Sequence, residues 1–152
     1  MPTTMLSEHF SLAEFTYSET AARQGLDNTP TPQAYSGLER LADVMEEVRR
    51  ICGDYPVTIT SGYRGPQVNA AVGGSTNSAH MVGLACDFII PGAGDPLTVC
   101  QLIEPYLDTL GIDQLIWEFG DWVHLGLATN EGEHRCQCLT INNSGTTVGW
   151  DI

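Results

Sequence analysis

The sequence predicts an α+β fold: a small antiparallel sheet with flanking helices, in a single domain spanning 1–152. Three observations carry this expectation. Tyr35, Leu38, Leu41, Val44, Met45, Val48 and Ile51 recur at three- and four-residue steps, the period of a helix buried along one face. The stretches 55–60 and 84–90 have the length and apolar patterning of strands. Finally, 114–119 and 122–127 flank Gly120-Asp121, which reads as a two-residue hairpin turn. With 152 residues, 42% of them hydrophobic, the chain can build one real core and is short for two.

In chain order, Ser11 followed by Glu14 is the pattern of a capping box opening a short helix, which Phe10 and Phe15 pin to the body. Asn28-Thr-Pro-Thr-Pro32 breaks the chain, and Thr31 with Pro32 supplies an N-cap and first-turn residue for the long helix. Charged Glu39, Arg40, Asp43, Glu46, Glu47 and Arg50 interleave its apolar stripe, so it reads as a structural platform ending at Gly53. The strand over 55–60 delivers Ser61-Gly62-Tyr63-Arg64 at its end, where functional side chains often sit. Pro66 to Val72 suits one or two helical turns closed by Gly73-Gly74, and a polar loop, Ser75 to Ser78, leads to His80.

Gly83 permits a turn into the next strand, in which Cys86 points away from the Asp87 side. Asp95 and Pro96 start a helix running toward Leu110, which Pro105 should kink or split. In the hairpin, pairing Phe119 with Trp122 and Trp117 with His124 puts Trp117, Phe119, Trp122, His124 and Gly126 on one face. Val123, Leu125 and Leu127 then face the core, and Glu118 lies on the Val123 side, away from His124. Residues 128–152 form an unassigned polar tail with one possible hairpin around Asn142-Asn-Ser-Gly145.

Composition excludes several functions. Six Arg, no Lys and 19 acidic residues give a net charge of -13, which repels phosphate backbones, so no nucleic-acid partner is expected. No run approaches the roughly 18 apolar residues of a membrane span, and the start, MPTTMLSEHFSLAEF, lacks the basic and apolar regions of a secretory signal. A chain made in the cytoplasm, without membrane insertion and monomeric, is the expectation. Five cysteines, an odd number without a CxxC pair, fit reduced thiols. Cys136 and Cys138 are the only close pair, and a second metal site there is an open alternative, with His134 nearby, although no further cysteine or histidine cluster completes it.

The chemistry concentrates in SGYRGPQVNAAVGGSTNSAHMVGLACD, residues 61–87, and in WVHLGL, residues 122–127. His80, Asp87 and His124 offer two imidazoles and a carboxylate, a three-ligand set that leaves one zinc position open for catalysis. Arg64 and Asp121 are polar groups for work on whatever the metal binds. The other two histidines, His9 and His134, lie near the ends. Taken singly, each residue has a plainer reading: His124 a packed strand histidine, Asp121 a turn residue, Arg64 a salt-bridged surface Arg, Ser78 a loop serine, Trp117 and Trp122 packing residues. Only the whole set together points to a metal site.

SGYR, then GG, then SAHMVGLACD, then DWVH resembles the zinc D-alanyl-D-alanine carboxypeptidase family, which includes phage L-alanyl-D-glutamate endolysin peptidases and the D-Ala-D-Ala dipeptidases of vancomycin resistance. HFSLAEF is similar to the short phage-encoded members, and the likeness covers a catalytic core of about 7–127. The resemblance implies a Hedgehog/DD-peptidase-like fold, one Zn2+ per chain on His80, Asp87 and His124, and Asp121, three residues before the second His, as general base. It also implies Arg64 as oxyanion stabiliser and Ser78 as a substrate contact. Several members carry Glu where this chain has Asp121. The implied substrate is the stem peptide of bacterial peptidoglycan, cut between L-Ala and D-Glu after membrane permeabilisation. A D-Ala-D-Ala carboxypeptidase is the alternative, and an inactive zinc-binding or structural phage module is the alternative of another class.

Overall fold

The computed structural model describes residues 3–152. The first two residues of the expected 1–152 domain, which also open the stretch read for a signal, lie outside the described residues. The architecture is α+β, with six helices and a six-stranded, mostly antiparallel sheet. Contacts divide the chain into two compact units, the chain to Glu46 with Ser61–Cys86, and Glu47–Thr60 with Asp87–Ile152.

The first unit holds α1 (Leu12–Thr16), α2 (Glu19–Gln24), most of α3 (Pro32–Ile51) and α4 (Pro66–Ala71). The capping box forms: Ser11 Oγ accepts from the Glu14 amide at 3.2 Å, and Glu14 Oε1 accepts from the Ser11 amide at 3.4 Å. The Phe10 and Phe15 rings stack at a tilt, 5.7 Å apart, and both are buried. Helix α2, unforeseen from the sequence, is capped by Ser18 and closed by Gly25 in the left-handed conformation. Thr31 caps α3 as expected, accepting from the Ala34 amide at 3.1 Å. Glu46, read as one of the solvated charges of α3, has a tighter role. Its carboxylate accepts from the Ser7 hydroxyl and from the His9 amide at 2.6 Å, and meets His9 Nδ1 at 2.7 Å, fastening the HFSLAEF segment to the helix.

Helix α3 serves as a platform for the turn that carries His80. A Cβ added at Gly37 would stand 2.3 Å from the Val82 carbonyl oxygen, closer than side chains ever come. Gly37→Ala gains up to ~1 kcal/mol of helix propensity, but forcing backbone from backbone costs ~1–3 kcal/mol. The steric effect wins. The variant is expected to unfold at lower urea than the parent, with an unchanged m-value; an equal or higher midpoint would mean that the helix does not bear on this turn.

The second unit contains α5 (Pro96–Ile103), α6 (Leu107–Leu110) and the larger part of the sheet. Asp95 caps α5, accepting from the Thr98 amide at 2.8 Å. The long helix expected to run to Leu110 splits at Pro105, where residues 104–106 tighten into a 3-10 turn. The sheet comprises β1 (Thr58–Ser61), β2 (Ala85–Ile89), β3 (Ile112–Glu118), β4 (Trp122–Leu127), β5 (Gln137–Asn142) and β6 (Gly145–Val148), in the order β1-β2-β4-β3-β5-β6. Its core includes Phe88, Val99, Ile103, Ile112, Leu115, Val123 and Leu125, all fully buried.

The possible hairpin around Asn142-Asn-Ser-Gly145 forms, with β6 returning antiparallel and Asn142 opposite Gly145, and β5 lies parallel to β3, so the tail left unassigned joins the sheet. Thr140 Oγ1 donates to the Gly149 carbonyl at 2.6 Å and Trp150 Nε1 donates to Glu104 at 2.8 Å, so even the last turn is tied down. The expected register of the β3–β4 hairpin needs correction: it is displaced by one residue. Glu118 pairs with Trp122, Trp117 with Val123 and Ile116 with His124.

The displacement has a conformational cause. Phe119 and Gly120 both take positive φ, 54° and 69°, and the Asp121 amide donates to the Glu118 carbonyl at 3.0 Å. A primed turn wants glycine at its second central position, which Phe119-Gly120 supplies and Gly120-Asp121 does not. Asp121 is left as an extra residue between paired strands. A slip of one flips every β3 side chain to the other face.

Among the described residues no disulfide joins the cysteines; burial pushes the Cys52 thiol up to about 11, and burial beside Glu104 and Cys136 pushes Cys138 up to about 11. Among the described residues no helix is long and apolar enough to cross a membrane.

Candidate metal centre

Within the first unit the structure gathers Arg64, Ser78 and His80. The strand-end motif is held by Asn28, whose side-chain amide donates to the Thr16 and Tyr63 carbonyls at 2.8 and 3.0 Å and accepts from the Gly65 amide at 2.8 Å. The sequence showed Asn28 only as part of a breaker cluster; nothing local in it signals a clamp 35 residues downstream.

His80 sits on a 3-10 turn, Ala79–Val82, capped by Ser78, whose Oγ accepts from the His80 amide at 3.2 Å. Arg64 donates to the same Oγ at 3.3 Å, and its amide donates to the His80 carbonyl at 3.1 Å. Ser78 and Arg64 thus share a structural task, shaping the turn, alongside any role toward substrate.

The His80 ring is 3% exposed, and its Nδ1 lies 2.7 Å from the Gly62 carbonyl oxygen. A carbonyl can only accept, so Nδ1 donates to Gly62 and Nε2 lies on the opposite edge of the ring. That is the arrangement of a metal-ligating imidazole, oriented through its other nitrogen by backbone.

Within the second unit the structure brings together Asp87, Glu118 and His124. His124 Nδ1 lies 2.9 Å from Asp87 Oδ1, with side chains 12% and 14% exposed. Donors to one ion, each bonded at about 2.0–2.2 Å, stand roughly 3 Å apart, so this pair has the spacing of two ligands as well as of a hydrogen bond. Glu118 Oε1 comes within 3.9 Å of the same nitrogen, the consequence of the shifted register. The sequence reading placed Glu118 on the Val123 side, away from His124; it stands on the His124 side. Asp121 lies exposed in the turn, tied through its amide to Glu118. Phe119 and Trp122 pack with ring centroids 5.6 Å apart.

The donor types fit a borderline ion such as zinc: imidazole nitrogens and an acceptor-only carboxylate. An α+β chain presenting such donor types has what a metal-binding protein requires. Over residues 8–126 it matches the model of the Peptidase M15 family, and the chain belongs to that family. It is also similar to the zinc D-Ala-D-Ala carboxypeptidase of Streptomyces albus G, 42% identical over 50 residues. That stretch is 33% of this chain and 18% of the relative, so the likeness spans a small part of that protein's length.

Proposed function

We propose that the chain is a zinc peptidase holding one catalytic ion on His80 Nε2, Asp87 and His124 Nδ1, and that it hydrolyses the stem peptide of bacterial peptidoglycan between L-Ala and D-Glu. The observation that carries the reading is the Asp87–His124 approach at 2.9 Å, two donors of the right type inside the family-matched region. Zinc, when bound, supplies Lewis acidity toward a carbonyl and brings the pKa of water to about 7. The chain's own groups do the rest. A carboxylate takes the proton of the attacking water and passes it to the leaving amine, and Arg64, the sole Arg between Ile51 and His134, offsets negative charge on the carbonyl oxygen. Ser78 orients Arg64 and meets substrate beside it.

Two acids compete for the proton. Asp121 has the spacing that the family resemblance assigns to the base. Glu118 is favoured by geometry, because it is part-buried and its Oε1 stands 3.9 Å from a ligand nitrogen, whereas Asp121 points from an exposed turn.

Both candidate bonds lie beside a free carboxylate, so Arg64 does not discriminate between them. HFSLAEF and DWVH, which resemble the endolysin-like members, support the endopeptidase; the name of the Streptomyces relative supports the D-Ala-D-Ala carboxypeptidase. Mass spectrometry of purified muropeptides after digestion separates them. The expected products are peptides beginning with D-Glu, with L-Ala left on the muramic acid. Release of free D-Ala alone reverses the choice, and no release by zinc-loaded protein leaves an inactive binding module.

A further inference from the structure

To the pairing of Cys136 with nearby His134 the structure adds a carboxylate. Asp108, His134 and Cys136 each offer a ligand atom, and the three atoms lie within 4.8 Å of one another. All three belong to the second unit, Asp108 in α6 and the others in the segment before β5. His134 Nε2 is 2.8 Å from Asp108 Oδ1, again about the separation of two donors to one ion.

The segment is held in place from both sides. The Arg135 amide and guanidinium donate to Asp113 at 2.8, 3.0 and 2.8 Å, and the Cys136 amide donates to the Ile112 carbonyl at 3.2 Å. Cys136 itself takes φ 52°, a conformation costly for a residue with a Cβ and kept only where surroundings enforce it. His134 is 16% exposed and Asp108 is 92% exposed, so the donors lie at the rim and open to solvent on the Asp108 side. Beside them is a cavity of about 480 Å³ lined by Glu104, Asp108, Cys136 and Cys138, with room for a fourth ligand.

We propose that Asp108, His134 and Cys136 form a second cation site, sharing no residue with the first. One thiolate, one imidazole and one carboxylate select a borderline-soft divalent ion of the zinc and cobalt class over magnesium or calcium.

Cobalt(II) titrated into the metal-free full chain is the probe. A thiolate ligand gives a sulfur-to-cobalt charge-transfer band in the near ultraviolet, and His80, Asp87 and His124 contribute no sulfur, so the band reports this site whatever the fate of the first. It should be complete by two equivalents in the parent, when both sites are filled, saturate at one equivalent in Asp87→Ala, vanish in Cys136→Ser, and need at least about tenfold more cobalt in His134→Ala, since loss of even an outer-shell partner costs about 10–100-fold. Far-ultraviolet circular dichroism identifies a variant that has merely unfolded. A parent without the band, a folded Cys136→Ser that keeps it, or a band abolished by Cys138→Ser instead overturns the assignment.

Discussion

In a Cys136→Ser background, where only the first centre is counted, Asp87→Ala is expected to be purified with almost no zinc and to lose hydrolysis altogether, and His80→Ala and His124→Ala to behave alike. Loss of a partner one shell out from a metal weakens binding by about 10–100-fold, and loss of a ligand exceeds that. Asp87 carries the larger share of the electrostatics, being the anionic member of the proposed set. Its removal also leaves His124 Nδ1 without the carboxylate 2.9 Å away. His80→Ala acts differently, vacating a buried position whose carbonyl partner at Gly62 then goes unsatisfied. Elemental analysis of the three purified proteins decides the matter. Zinc at full stoichiometry in all of them would place the ion elsewhere.

Glu118→Gln is expected to keep its zinc and to lose kcat by at least about 100-fold, the usual cost of a missing general base, whereas Asp121→Asn costs less than about tenfold. The amide is nearly the same size as the acid, so packing on β3 is unchanged and the proton-accepting oxygen alone is removed. Metal content measured beside kcat separates this outcome from a lost ligand. A large loss in Asp121→Asn with a mild one in Glu118→Gln would instead give the proton to the turn residue that family spacing indicates. Were the two losses equal, neither acid alone would serve as the base.

The contrast between these acids shows what the sequence could and could not convey. Helix α3, the break at Pro105 and the capping box at Ser11 were legible because each depends on local periodicity, a missing amide proton or a short side-chain reach. The hairpin was legible as a hairpin, and its register was not. Register there hangs on whether Phe119 or Asp121 flanks Gly120 at the turn, a choice settled by which pair accepts positive φ, and composition ranks those options only weakly. Asn28, Gly62 and the place of Asp108 beside His134 were hidden for another reason. Each acts through backbone atoms or across 18 to 37 residues of chain, as with His80 to Gly62 and Gly65 to Asn28, so no spacing rule exposes them. Similarly, the C-terminal residues looked like a polar tail because β6 is a short exposed strand with no buried face to leave an alternating pattern.

The contact between α1 and the strand-end motif reaches further than its size suggests. The Phe15 carbonyl accepts from the Tyr63 amide at 2.6 Å, and a Cβ at Gly62 would fall 2.3 Å from that same oxygen, so the two backbones lie against each other. Gly62 in turn points its carbonyl at His80. The ring of His80, a ligand in the proposed metal set, is therefore oriented by a carbonyl that a five-residue helix holds in place. For anyone building on this scaffold, the N-terminal segment is part of the instrument's alignment. A graft, permutation or fusion that preserves every proposed donor yet lets α1 drift would keep the residues and lose the orientation of the His80 ring.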